Sequence, residues 1–153
     1  MQDGFVKVAA ITPEVRVADV AFNVNACVEA ARRACTEDGA MIVVLPELCL
    51  TAYTCEDLFW QDALLSAAEQ GLADFAQATS DLNALLLVGL PVRVNAKLYN
   101  CAAAVASGTV LGVVPKRYLP TYNEFYEGRH FVGGTTDVVP VDIAGRLDVP
   151  FGT

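Results

Sequence analysis

The sequence predicts an α/β fold built on a largely parallel sheet, and three observations predict it. Short apolar runs recur at residues 5–11, 40–45 and 84–90, the first interrupted by Lys7. Such runs suit parallel strands covered on both faces. The stretches between them, 19–38 and 61–79, carry apolar residues three and four apart, the spacing of an amphipathic helix. The resulting β-α-β-α-β order calls for right-handed crossovers, which place consecutive helices together on one outer face.

The first strand, 5–11, is closed by Thr12-Pro13. The first helix buries Val20, Val24, Cys27, Val28, Ala31 and Cys35, leaves Asn25, Glu29, Arg32 and Arg33 mostly outside that stripe, and stops at Gly39, a good residue for a helix C-cap. The second strand, 40–45, leads into a loop from Pro46 to Trp60. The second helix buries Leu64, Leu65, Ala68, Leu72, Phe75 and Ala76. The third strand, 84–90, ends at Pro91. Residues 97–107 and 109–114 then read as two strands joined by a hairpin at Ser107-Gly108. Residues 116–130 are aromatic and charged without a clean period, hence a loop, and 135–143 is one more strand. No internal repeat or linker divides the 153 residues, so they form one domain.

Composition excludes several classes of function. With 54% hydrophobic and 18% charged residues, the chain has material for a core and is not disordered. A net charge of -8 repels phosphate backbones and anionic lipid, so neither nucleic acid nor a membrane surface is expected as a partner. No apolar run reaches the roughly 18 residues of a membrane span. Residues 1–4 show no basic region ahead of an apolar stretch, so a cytoplasmic, reducing location is expected. The five cysteines, Cys27, Cys35, Cys49, Cys55 and Cys101, are an odd number without a Cys-x-x-Cys pair. They are expected to be thiols, with neither a disulfide framework nor a metal site. Cys27, Cys35 and Cys101 read as small buried hydrophobes. His130 is the single histidine.

Three segments carry chemistry. In Leu45-Pro46-Glu47-Leu48, a carboxylate follows a buried strand, and ligand sites of α/β sheets gather at the carboxyl ends of strands. Held among leucines, Glu47 is partly desolvated and suited to general-base work; the alternative is a loop glutamate that caps the turn. In Pro115-Lys116-Arg117, an ammonium again follows a strand and suits oxyanion stabilisation; the alternative is a solvated lysine. The segment 121–131 mixes aromatic residues with both signs of charge, as a small-molecule pocket or a surface charge cluster does. Glu47 and Lys116 meet if their strands lie near one another in one sheet.

The segments Leu45-Pro46-Glu47-Leu48, Lys116-Arg117-Tyr118-Leu119-Pro120 and Glu124-Phe125-Tyr126-Glu127 resemble the nitrilase, or carbon–nitrogen hydrolase, superfamily. The run Tyr53-Thr54-Cys55-Glu56-Asp57-Leu58-Phe59 resembles one branch of it, the amino-terminal glutaminase domains of glutamine-dependent NAD+ synthetases. The resemblance implies an α-β-β-α sandwich and a Glu-Lys-Cys triad that hydrolyses glutamine through a thioester. In it Glu47 is the general base and Lys116 the oxyanion stabiliser. Glu124, eight residues after Lys116, takes the place of a further glutamate, and Tyr53 and Tyr122 border the glutamine pocket. The family's nucleophilic cysteine follows a later strand, whereas no cysteine follows Cys101 here and Cys55-Glu56-Asp57 precedes the lysine. Residues 1–153 are therefore expected to be roughly the first half of one such domain, inactive alone. The resemblance implies no cofactor in this chain. ATP and Mg2+ belong to a synthetase domain that is absent here, and a homo-oligomer is implied. A stand-alone nitrilase-type amidase and a non-catalytic truncated binding module are the alternatives.

Overall fold

Strand and helix follow one another as the apolar runs dictate: β1 (Val8–Ala10), α1 (Val20–Thr36), β2 (Ile42–Val44), a 3-10 helix (Glu56–Trp60), α2 (Asp62–Ala78), β3 (Leu85–Val94), β4 (Lys97–Ala106), β5 (Thr109–Pro115), α3 (Glu127–His130), β6 (Val139–Ile143) and β7 (Arg146–Phe151). The computed structural model describes residues 4–153; residues 1–3, on which the reading of the amino terminus partly depended, lie outside the described residues. The strands form one seven-stranded sheet in the order β1-β2-β3-β4-β5-β7-β6. β1, β2 and β3 pair in parallel, as expected. Beyond β3 the sheet is mixed: β4 is antiparallel to both β3 and β5, β7 is parallel to β5, and β6 is antiparallel to β7.

The structure departs from the sequence expectation at several points, among them the short helix α3 at the end of the segment 116–130 expected as a loop. β3 does not end at Pro91 but continues to Val94, with Pro91 opposite Asn100 of β4. A proline fits there because β2 pairs with β3 only as far as Leu87, so no strand on that side asks Pro91 for an amide donor. A two-residue turn at Asn95-Ala96, φ +49° and +63°, then joins β3 to β4. The expected strand at 135–143 is β6, and it forms a hairpin with β7 through Ala144-Gly145, φ +52° and +72°. These turns use the left-handed backbone that matches strand twist, as does the expected one at Ser107-Gly108.

Side chains alternate across the sheet. Val43, Leu86 and Val105, aligned across β2, β3 and β4, are buried, as are Val88, Ala103 and Val113 across β3, β4 and β5. α1 buries Val20, Val24, Cys27, Ala31 and Ala34; α2 buries Leu64, Leu65, Ala68, Leu72, Phe75 and Ala76. Asp19 caps α1 by accepting from the Phe22 amide at 3.2 Å, which satisfies one of the helix's orphan donors. The two helices pack closely at Gly71, where a Cβ would lie 2.7 Å from Val20 Cγ1.

Asn23 is the polar exception on the buried face of α1. Its Oδ1 accepts from the Arg16 amide at 2.7 Å; its Nδ2 donates to the carbonyls of Arg16 at 2.8 Å and Leu50 at 3.2 Å. One side chain thus ties the segment before α1 and the loop after β2 to the helix. Asn23→Ala leaves those groups unpaired in the interior, and a loss of about 1–3 kcal/mol is expected. Urea unfolding checks it; a midpoint unchanged from wild type would contradict the role.

The opposite face of the sheet is apolar and open. Val44, Leu87, Ala104 and Gly112 align across β2 to β5, and Ala102 aligns with Val114 beside them. All are partly or largely exposed. Contiguous apolar surface of this kind associates. Sedimentation of the 153-residue chain is expected to show dimers or larger species. A monomer that binds no hydrophobic dye would contradict it.

Candidate active site at the carboxyl end of the sheet

The Glu47 loop is fixed from below by β3. After β2 the chain still follows β3, with the Leu45 amide donating to the Leu87 carbonyl at 2.9 Å. It then turns sharply, with Leu48 at φ +52° and Ala52 at φ +70°. Leu48, Cys49 and Leu50 are buried, while the Glu47 side chain keeps 40% of its exposure. The turn lies directly on Gly89: a Cβ there would come within 2.5 Å of the Pro46 carbonyl oxygen and collide with the Leu48 amide. Only glycine permits this approach. The Gly89 carbonyl in turn accepts from the Leu50 amide at 3.2 Å.

Lys116 follows β5. Its amide donates to the Asn100 carbonyl at 2.8 Å, and its carbonyl accepts from the Gly134 amide at 2.9 Å. β2 and β5 are separated by two strands. They nevertheless run in the same direction, because two antiparallel pairings follow the parallel one. Their carboxyl ends therefore share an edge, and the two side chains meet over β3 and β4. Lys116 Nζ lies 2.7 Å from Glu47 Oε1.

A second carboxylate completes the cluster, and it is Glu127. Its Oε1 lies 2.8 Å from Lys116 Nζ and accepts from the Tyr53 hydroxyl at 2.7 Å. Glu127 is only 4% exposed. It opens α3, with its amide donating to the Pro120 carbonyl. Arg129 holds α3 to the 3-10 helix through Asp57, at 2.9 and 3.2 Å. Asn100 of β4 lies between the carboxylates: its Nδ2 donates to Glu47 Oε1 and, at 3.4 Å, to Glu127 Oε2.

Of the residues singled out by sequence, the structure therefore brings together Glu47, Lys116 and Tyr53. It does not bring Glu124 or Tyr122 to them. Glu124 is exposed, on a loop where Asn123 has φ +54°, and no hydrogen bond joins it to Glu47 or Lys116 among the described residues. It borders a cavity of about 280 Å³ beside Glu127, which Tyr53, Tyr126, His130 and Phe131 also line. Tyr122 is 65% exposed and packs edge-on against Phe125. The turn into α3 puts the buried acid three residues after Glu124. Sequence reading passed over Glu127 and Asn100. Asn100 did carry a signal: a lone amide inside an apolar strand must find partners.

The electrostatics follow from burial and contact. Burial alone pulls the Lys116 pKa down; hydrogen bonds and attraction to Glu127 and Glu47 outweigh it and move it up overall. Burial, then the hydrogen bond to Glu127, pushes the Tyr53 phenol well up, so it stays a donor. The cysteines stand apart from this cluster. Cys49 Sγ donates to the Gly89 carbonyl at 3.6 Å and Cys55 Sγ to the Thr51 carbonyl at 2.9 Å. Burial pushes the Cys55 and Cys101 thiols up. The Cys27 thiol is pushed up by its hydrogen bond with Cys49 and by burial. Among the described residues, no group of three or more His, Cys, Asp and Glu side chains is arranged to hold a metal ion. What remains is a half-exposed carboxylate, whose second oxygen Oε2 makes no hydrogen bond among the described residues, beside a cation. That pairing can take a proton and stabilise an oxyanion.

Lys116 and Tyr53 both hold their protons more tightly in the folded state, so the unfolded chain releases them first as pH rises. Their contribution to stability is present below about pH 10, the ordinary range of both groups, and is lost as pH climbs through the raised values. Denaturant unfolding at pH 8 and pH 11 is expected to show this loss, and a Lys116→Met, Tyr53→Phe double variant a smaller one. Equal losses would contradict it.

The sequence profile of carbon–nitrogen hydrolases matches residues 7–146. The glutamine-dependent NAD(+) synthetase of Mycobacterium tuberculosis is 46% identical over 152 residues, which is 99% of this chain and 22% of that protein. The chain thus spans about a fifth of the length of that relative. The crystal structure of a glutamine-dependent NAD(+) synthetase from Cytophaga hutchinsonii superposes with a TM-score of 0.87 at 28% identity, over 96% of this chain and 25% of that one. A mutant of the Nesterenkonia AN1 amidase, from the nitrilase superfamily, superposes with a TM-score of 0.69 at 26% identity, over 92% and 53% of the two chains. The mixed α/β sheet is that of nitrilase-superfamily structures. Glu47 and Lys116 meet at its carboxyl edge, within the matched residues, and the chain belongs to the carbon–nitrogen hydrolase family.

Proposed function

We propose that the chain is the amino-terminal part of a glutaminase domain, and that the intact protein passes the ammonia released from glutamine to a synthetase domain. That domain uses ATP and Mg2+ to amidate deamido-NAD+. The observation that carries this reading is the Glu47–Lys116 pair, 2.7 Å apart, with Glu127 and Tyr53 locked behind it. The similarity to glutamine-dependent NAD(+) synthetases over nearly the whole chain supports the choice of branch over a stand-alone amidase. A non-catalytic binding module has no use for a base and a cation held this way.

In this reading a cysteine thiol beyond these 153 residues is the nucleophile. Glu47 takes the thiol proton as sulfur bonds to the glutamine amide carbon, and Lys116 stabilises the oxyanion. The carbon–nitrogen bond breaks, and ammonia leaves with the proton from Glu47. Water then attacks the thioester, giving its proton to Glu47, and glutamate and the thiol are released. Glu127 takes the place of the further glutamate in this scheme, because it, not Glu124, touches the lysine. Its three hydrogen bonds are already committed, so it holds Lys116 rather than moving protons. General-base help of this kind contributes about a hundredfold to ten-thousandfold, but only where there is a thiol to activate.

The experiment is an ammonia-release assay on the protein extended to the length of its relatives and on the 153-residue chain. The extended protein is expected to hydrolyse glutamine. Glu47→Gln or Lys116→Ala is expected to abolish turnover while glutamine binding partly survives. The short chain is expected to release none, with Cys49→Ser and Cys55→Ser as controls. An inactive extended protein would sink the reading, as would turnover by the short chain that either control removes.

A further inference from the structure

We propose that Asn100 is a positioning residue that sets the rotamer of Glu47 and leaves its second oxygen free to act. Asn100 is 2% exposed in the middle of β4. Its amide NH2 donates to Glu47 Oε1 and Glu127 Oε2, and its backbone carbonyl receives the Lys116 amide. Each carboxylate is thus gripped by the same two donors, the Lys116 ammonium and the Asn100 amide.

The assignment of Nδ2 to this side is chemically required. Ionised carboxylates only accept, so the amide must present its two hydrogens to them rather than its oxygen. A second lysine in that place could not do the same work. It would add charge and mobility, whereas the amide is neutral, short and fixed in a buried strand. Glu47 Oε1 is consumed by both donors. Its other oxygen, Oε2, makes no hydrogen bond among the described residues, and Glu47 borders a cleft whose apolar lining includes Val44, Leu87, Ala102 and Val114. Lys116 alone, on a flexible four-carbon stem, fixes one distance to Glu47; adding Asn100 from the strand pins Oε1 between two donors.

The inference rests on the reading of Glu47 as the base, and its test separates the two. The first arm needs no activity: a crystal structure of the 153-residue chain carrying Asn100→Leu, which matches the amide in size but donates nothing. Lys116 is expected to stay on Glu127 while the Glu47 carboxylate leaves its contact with Lys116. Glu47 found unmoved overturns the proposal. If that variant does not fold, Asn100→Ala, smaller, uncharged and without the donor, receives the same measurement with the same expectation. The second arm is glutaminase kinetics in the extended protein. Asn100→Leu is expected to lower kcat about tenfold to a hundredfold, the value of hydrogen bonds to a charged group. KM should stay near wild type, and Asn100→Ser, with one donor, should recover part of the loss. A lowered melting temperature with kcat intact would make Asn100 merely structural and overturn the proposal. A wild-type protein without glutaminase activity sinks the functional reading instead, and the crystallographic arm then decides Asn100 alone.

Discussion

A single ammonium group, Lys116 Nζ, stands between two carboxylates that would otherwise repel one another across the edge of the sheet. Three stretches distant in sequence depend on it: the turn after β2, the end of β5 and the short helix α3. The ion pairs formed by arginine, Arg16–Glu14, Arg32–Asp81, Arg93–Asp62 and Arg129–Asp57, have exposed side chains on both partners and contribute little. The Lys116–Glu127 pair differs because Glu127 is nearly dry. Removing the lysine would leave a buried carboxylate with no cation, which costs far more than losing a surface contact.

The carboxylate that faces the lysine is held by backbone as much as by charge. Leu48 and Ala52 occupy left-handed conformations that residues with side chains adopt only when their surroundings insist. Here they are over-determined. Leu48 and Leu50 are sunk in the core, Asn23 holds the Leu50 carbonyl, and the turn presses on Gly89. An acid on an ordinary surface loop would sample many positions. Fixed in this way, Glu47 keeps one position at the edge of the sheet; in the proposed reaction a base so held does not reorganise before it accepts a proton, and geometric errors near 1 Å are expensive in catalysis.

The open face of the sheet and the site are continuous. Val44, Leu87, Ala102 and Val114 line the same cleft as Glu47, Asn100 and Lys116. Whatever covers that apolar surface also removes water from the pair and strengthens its electrostatics. The net charge of -8 fits the same picture: few cations are present, and one of them is placed where two acids converge.

The sequence by itself determined much of this. Apolar runs and helical stripes led to β1, α1, β2, α2 and β3 in parallel, and strand-end position singled out Glu47 and Lys116 before any coordinates. Local patterns reach that far because burial is periodic and strands end where apolar runs end. Tertiary structure decided the rest. Pro91 continues a strand because of where the neighbouring strand stops, which no local rule registers. Glu127 rather than Glu124 reaches the lysine because the turn into α3 aims one acid inward and leaves the other in solvent, and spacing along the chain does not encode that direction. Asn100 joins both carboxylates only because β4 runs between β3 and β5, bringing residues 47, 100, 116 and 127 to one edge.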